Sequence, residues 1–396
     1  MNDELLCHYA DRLDKLKKTH NYRAFRHTEH SLRHISIDHH VLMLNLASND
    51  YLGIAQNRAY YDEFLASVAG QMQPLGSSSS RLLTGNFASM DRLEMQMQAL
   101  FGRACLLFNS GYHANVGILP AICDGRTLIL ADKLVHASII DGMRLAAQNG
   151  TKTVRYQHQN LSQLESLVQK YSQDASIDRI VVVTESIFSM DGDVTDLSAL
   201  VAMKRRYRQL MLYVDEAHAI GVRGERGLGC VEEFGVIDEI DFIVGAFGKA
   251  LASVGGYVIC HEILKAFLIN HVRPLIFSTA LPPMNAAWTS FVLTKITQMN
   301  DARLRLSAMS DKLNQLLTEL NLPTPSTSQI VPVIIGDNAS VLKLAADIWA
   351  TGYYVLPVRP PTVPQGQARL RICLNAGIGD DELSAFMQTL QQQLAD

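Results

Sequence analysis

The chain has 396 residues, enough for one large domain with a smaller companion, and its 48% hydrophobic and 19% charged residues suit a globular protein with an extensive core. A formal net charge of −4 leaves no footprint for a polyanion and argues against nucleic acid as a partner. The N-terminal MNDELLCHYADRLDK is charged from its third residue and lacks the apolar core of a secretory signal. No apolar run reaches the roughly 20 residues of a membrane span, so a cytoplasmic protein is expected.

In chain order, the first fifty or so residues read as helical and basic, then as LNLASNDYLG, a segment (1–52) expected to pack with the small domain. Its histidines, His20, His27, His30, His34, His39 and His40, have few acidic neighbours and no helical ligand spacing. The six cysteines are scattered without a C-x-x-C pair, so neither a metal site nor a disulfide framework is expected. The small residues of GSSSSRLLTG fit a close approach to an anion or a backbone, and equally a plain loop. Then come ACLLF (104–108), TLILA (127–131), RIVVVT (179–184), LMLYV (210–214), DFIVGAF (241–247) and GYVIC (256–260). Their near-continuous apolar character marks strands buried on both faces. Helical patterns such as LSQLESLVQKYSQ (161–173) and DLSALVAMKRRYR (196–208) fill the gaps. The alternation predicts an α/β domain with a mainly parallel, doubly wound sheet over 53–286. A long helical stretch, the strand-like IVPVIIG and a last helix, DDELSAFMQTLQQQLA, then predict a smaller α+β domain over 287–396.

The residues after each strand carry the chemistry. ACLLF runs into Asn109-Ser110-Gly111-Tyr112, RIVVVT into Glu185-Ser186, LMLYV into Asp215-Glu216-Ala217-His218, and DFIVGAF into Gly248-Lys249. Ligands of open parallel sheets bind beyond the carboxyl ends of the strands, and several polar strand ends on one rim make a site. Lys249 lies in FIVGAFGKALASVGGYV (242–258), a stretch with no acidic residue, although a buried ammonium is costly to desolvate. A Walker loop is excluded by Ile243 and Ala250, and a nucleophile elbow at Ser110 by Phe108. A lysine on a small-residue turn with an aspartate from a neighbouring strand suits pyridoxal 5'-phosphate (PLP). The amine forms an imine with the aldehyde, and a carboxylate keeps the pyridine nitrogen protonated, so that the ring is an electron sink. An apolar pocket would lower the lysine pKa and free it to act as a base.

The motifs LASNDYLG, GSSSSRLLTG, SGYHANVG, DKLVHASIIDG, VVTESIFSMDGD, VDEAHAIGVRGERGLG, FGKA, FSTALPP and ARLRICLNA occur in that order. On them the chain resembles the α-oxoamine synthase family of fold-type-I PLP enzymes nearly end to end. The resemblance implies a homodimer that condenses a small amino acid with an acyl thioester and loses CO2. RPPTVPQGQARLRI (359–372) is most similar to the member that uses L-alanine and a pimeloyl thioester, on coenzyme A or on an acyl carrier protein. A member using glycine and an acetyl group, or a longer acyl chain, remains the alternative.

The resemblance assigns roles by position. Lys249 is the imine-forming lysine and base, Asp215 the partner of the ring nitrogen, and His218 that of the phenolic oxygen. His136 stacks on the ring and meets substrate. Gly111, Tyr112 and Ser189 lie against the cofactor, Arg23, Asn49 and Thr362 meet substrate, and Arg369 is a partner for the alanine carboxylate. Where the family carries a threonine that binds the phosphate, this chain has Ala246, with Ser278 or Thr279 as substitutes. One missing phosphate hydrogen bond is worth roughly 1.5–3 kcal/mol. Ala246→Thr is therefore expected to slow PLP loss on dialysis by about tenfold or more, and unchanged retention would contradict the assignment.

Overall fold

All six apolar runs are strands in the computed structural model, which describes residues 3–38 and 41–395. In the larger of two units, Ile54–Ser189 with Val194–Leu304, they form one sheet. Its strands are β1 (Ala104–Phe108), β2 (Thr127–Asp132), β3 (Lys152–Tyr156), β4 (Arg179–Glu185), β5 (Leu210–Asp215), β6 (Phe242–Ala246) and β7 (Gly256–Cys260). The order across the sheet is β1-β7-β6-β5-β4-β2-β3. Only β7, antiparallel to β1 and β6, departs from parallel pairing. β3 escapes a reading based on apolar runs: KTVRY is an edge strand that buries Tyr156 alone, so it can carry Lys152 and Arg155.

Helices α1 (Gly111–Ile122), α2 (Ala137–Ala147), α3 (Leu161–Ser172) and α4 (Leu197–Arg206) start on side-chain caps. Ser110, His136, Asn160 and Asp196 each accept a first-turn backbone N–H. In α4 the acidic cap and the basic last turn, Lys204–Arg206, both complement the helix dipole.

The second unit gathers Met1–Gly53, Met190–Asp193 and Arg305–Asp396. Ala368–Cys373 is the centre of an antiparallel sheet between Ile330–Gly336 and Leu356–Val358, and Met43–Asn45 pairs in parallel with Tyr353–Tyr354. Two boundaries differ from expectation. Residues 287–304 belong with the larger unit, because helix Pro283–Ile296 brings Trp288 to 5.2 Å from Phe64 and stacks it on Phe291. Met190–Asp193 belongs with the smaller unit. The Thr327 N–H donates to Gly192 O, and a Cβ at Gly192 would lie 1.9 Å from Ile330 O. The described histidines form no ligand cluster with cysteine or acids, and His39 and His40 lie outside the described residues.

Two glycines let the sheet end close on itself. A Cβ at Gly256 would sit 2.5 Å from the Ser110 carbonyl carbon, and one at Gly111 would sit 3.1 Å from the Ala246 Cβ. Backbone cannot give way there as a flexible side chain would. Gly256→Ala is expected to lower stability by about 1–3 kcal/mol, read as a fall in Tm, and an unchanged Tm would refute the close approach.

Candidate active site

The C-terminal rim of this sheet holds the candidate residues of the larger unit. Asp215 ends β5 and Ala246 ends β6, with Lys249 on the turn that follows. Gly111 and Tyr112 open α1, His136 caps α2, and Ser189 and His218 lie on the turns after β4 and β5. Lys249 is half-buried, more open than its apolar neighbours in sequence suggest. Its carbonyl accepts the Ala252 N–H at 2.8 Å, and Ser253 N–H donates to Phe247 O at 3.0 Å, so the turn is fixed by its own backbone.

Asp215 is buried, and its two oxygens accept from Asn115 Nδ2 at 2.8 Å and from the Ala217 N–H at 2.9 Å. Both of these donors are neutral, and a buried carboxylate favours a nearby countercharge. The protonated ring nitrogen of PLP would supply one, and the residues present therefore fit that cofactor.

A second function of Asn115 connects Asp215 to His136. The Tyr213 hydroxyl donates to Asn115 Oδ1 at 2.6 Å, and Asn115 Nδ2 also donates to Ser138 Oγ at 2.9 Å. Ser138 Oγ lies 2.7 Å from His136 Nδ1, which also accepts the Ser138 N–H at 3.2 Å. With Nδ1 an acceptor, the proton of a neutral ring resides on Nε2. Desolvation lowers the His136 pKa from its ordinary value, Asp215 opposes that, and Lys249 adds to it, so the ring is neutral at physiological pH. Asn115, Ser138 and Tyr213 were not among the residues picked from sequence. The available signal was an asparagine, itself buried, inside the apolar run ANVGILPAI.

Other placements are less simple. The Tyr112 hydroxyl donates to Asp141 at 2.8 Å, which leaves its ring and backbone to face a ligand. Ser278 cannot offer its proton in place of the missing threonine, because its hydroxyl donates to Pro274 O at 2.6 Å. In the smaller unit, Arg23 Nη2 donates to Thr362 Oγ1 at 3.0 Å, joining two exposed residues expected to meet substrate. Asn49 Oδ1 accepts from Arg371 at 3.2 Å and from the Tyr51 hydroxyl at 3.0 Å. Arg369 is only 3% exposed, and its guanidinium donates to Asp191, Met190 O and Gln367 O. In this structure the fork expected for a substrate carboxylate holds Met190–Asp193. The guanidinium of Arg359, which touches His20 O and lies near Arg23, has no carboxylate partner among the described residues.

The family model for class I and II aminotransferases matches residues 42–390. An 8-amino-7-oxononanoate synthase from Haemophilus ducreyi is 48% identical over 394 residues, covering 97% of this chain and 100% of its own. Among solved structures, serine palmitoyltransferase from Sphingomonas wittichii superposes with a TM-score of 0.86 at 27% identity, covering 97% of this chain and 96% of that one. An 8-amino-7-oxononanoate synthase from Francisella tularensis superposes with a TM-score of 0.73 at 26% identity, covering 89% and 98%. A serine palmitoyltransferase variant from S. paucimobilis, solved with bound PLP and myriocin, gives a TM-score of 0.87 at 25% identity, covering 97% and 96%.

Beside Asp215, the Glu216 carboxyl is fully buried and receives the N–H groups of Cys230 at 3.0 Å and Val231 at 2.8 Å. Burial pushes its pKa up to about 7 against those two N–H groups. An acid whose pKa is higher folded than unfolded stabilises the fold fully below its unfolded value, and that contribution is lost as pH rises through the folded one. Glu216 is therefore expected to lower Tm as pH rises from about 4.5 to about 7. Glu216→Gln should flatten that part of the Tm profile, and an unaltered slope would remove Glu216 as its source.

Proposed function

The chain belongs to the class I and II aminotransferase family, and on that premise we propose that it is a PLP-dependent acyltransferase. It joins L-alanine to a pimeloyl thioester, on coenzyme A or an acyl carrier protein, and releases CO2, free thiol and 8-amino-7-oxononanoate for biotin synthesis. The observation that carries the reading is the buried Asp215 carboxylate, hydrogen-bonded by neutral donors, on the rim that also bears Lys249 and a neutral His136. The substrate class rests on the 48% identity to a relative of that name.

Bound PLP supplies an electron sink that stabilises negative charge developing at the alanine Cα. Lys249 Nζ would hold the cofactor aldehyde, and its amine is the base of this reading for the alanine Cα proton. Asp215 would hold the ring nitrogen in its protonated form, and the hydrogen bonds from Asn115 and Ala217 keep the Asp215 carboxyl oriented. His136, with Nδ1 fixed by Ser138, would lie against the ring and would offer its Nε2 proton to the thioester carbonyl. His218 meets the phenolic oxygen, while Gly111, Tyr112 and Ser189 border the cofactor. Arg23, Thr362 and Asn49 are the substrate contacts of this reading, with the amide nitrogen of Asn49 the part left over by Arg371 and Tyr51. The enzyme works as a cytoplasmic homodimer. None of its described helices is long and apolar enough to cross a membrane.

The test is turnover by purified protein with alanine plus pimeloyl-CoA, against glycine plus acetyl-CoA. Alanine plus pimeloyl-CoA should be preferred, and the reverse preference would reassign the chain within its family. Lys249→Arg should abolish the visible absorbance of bound cofactor and cut turnover by roughly 10²–10⁴-fold or more. Parental turnover in that variant would end the reading.

A further inference from the structure

One buried acid on the rim has no role in the chemistry above. Glu185 ends β4 directly across from Asp215 in the parallel ladder, and the Ser186 N–H donates to Asp215 O at 2.9 Å. The residue is 3% exposed, and its Oε1 is sealed from solvent with no hydrogen-bond partner in the protein. Its own carbonyl is occupied by Thr195 Oγ1 at 2.7 Å, so the strand end is held in place independently of the side chain. An unpartnered carboxyl oxygen in such a place costs free energy that a structural role does not recover.

The surroundings decide which form of the acid lives there. Burial raises its pKa well above the usual carboxylate range and Asp215, on β5, adds to that. Lys249, on the turn after β6, opposes it, as do the backbone N–H groups of His136, before α2, and Ser189, after β4. Two buried carboxyls on adjacent strand ends disfavour one another's ionised form. Asp215 has two hydrogen-bond donors. Glu185 is left with N–H groups facing its carboxyl and one oxygen facing no protein donor.

We infer that Glu185 is a positioning residue that stays a neutral acid in the working enzyme, its carboxyl closed off from the bound group and set against the backbone that carries His136 and Ser189. Its link to those two loops makes the order of the loops depend on Glu185. The inference rests on the PLP reading for the identity of the bound group, but not for the protonation state of Glu185.

The experiment compares wild type, Glu185→Gln and Glu185→Ala as full-length protein. PLP affinity is measured by titration of the stripped enzyme, and the pH dependence of the bound cofactor's absorbance is recorded. Glutamine keeps a donor and the neutral charge, so Glu185→Gln should hold PLP within about threefold of wild type with the same pH midpoint, while Glu185→Ala should lose about tenfold. A shifted midpoint in Glu185→Gln, or a loss as large as that of Glu185→Ala, would overturn the inference, because either marks an ionised Glu185. Infrared difference spectra of wild type against Glu185→Gln give a reading that does not depend on Glu185→Ala folding or on PLP. A protonated carboxyl C=O stretch absent from the variant supports the inference, and a carboxylate stretch in its place overturns it. Failure of wild type to bind PLP at all would instead count against the proposed function.

Discussion

A carboxylate held away from water organises this rim. Removing a carboxylate from water is costly, and Asp215 is received by the Asn115 amide and the Ala217 N–H. That arrangement places demands on its neighbours. Asn115 must stand in an otherwise apolar helix, Tyr213 must turn its hydroxyl to the amide oxygen, and Ser138 must take the remaining amide proton. The last of these contacts ends on His136 Nδ1, so the groups that hold the charge also settle where the imidazole carries its proton.

The three carboxyls at this end of the sheet, Glu185, Asp215 and Glu216, are resolved by their donors rather than by their type. Glu216 turns away and collects the N–H groups of Cys230 and Val231, tying a loop of positive-φ glycines, Gly227 and Gly229 among them, to the strand end. A Cβ at Gly229 would collide with that carboxylate, which is a physical use for the closely spaced glycines of RGERGLG other than nucleotide binding. Asp215 keeps two donors, the Asn115 amide and the Ala217 N–H. Glu185 keeps one oxygen that faces no protein donor, and burial favours its protonated form.

Arg369 shows why a residue type at the right position does not settle its role. From sequence it is a planar, five-donor fork on a strand near the end of the chain, well suited to a carboxylate. In the structure the carboxylate it finds belongs to Asp191, some 180 residues away in sequence, and the pair holds Met190–Asp193 within the smaller unit. The same folding brings Arg23 to Thr362 and Arg371 to Asn49. Pairings of this kind depend on which segments share a unit, and no local spacing encodes that.

Strands buried on both faces must be apolar throughout, so six of the seven sheet strands stand out in the sequence, and the polar residues that interrupt each run mark the rim. The α/β class, the lysine on its small-residue turn and the aspartate at a neighbouring strand end follow from that rule alone. The edge strand KTVRY, half solvated, obeys no such rule. Partners were decided only in three dimensions: Asn115 for Asp215, Asp191 for Arg369, Pro274 for Ser278, and none for one oxygen of Glu185. Burial by neighbours fixes composition position by position, whereas a hydrogen bond needs two groups from distant segments at one distance and angle, and only the packed chain supplies those.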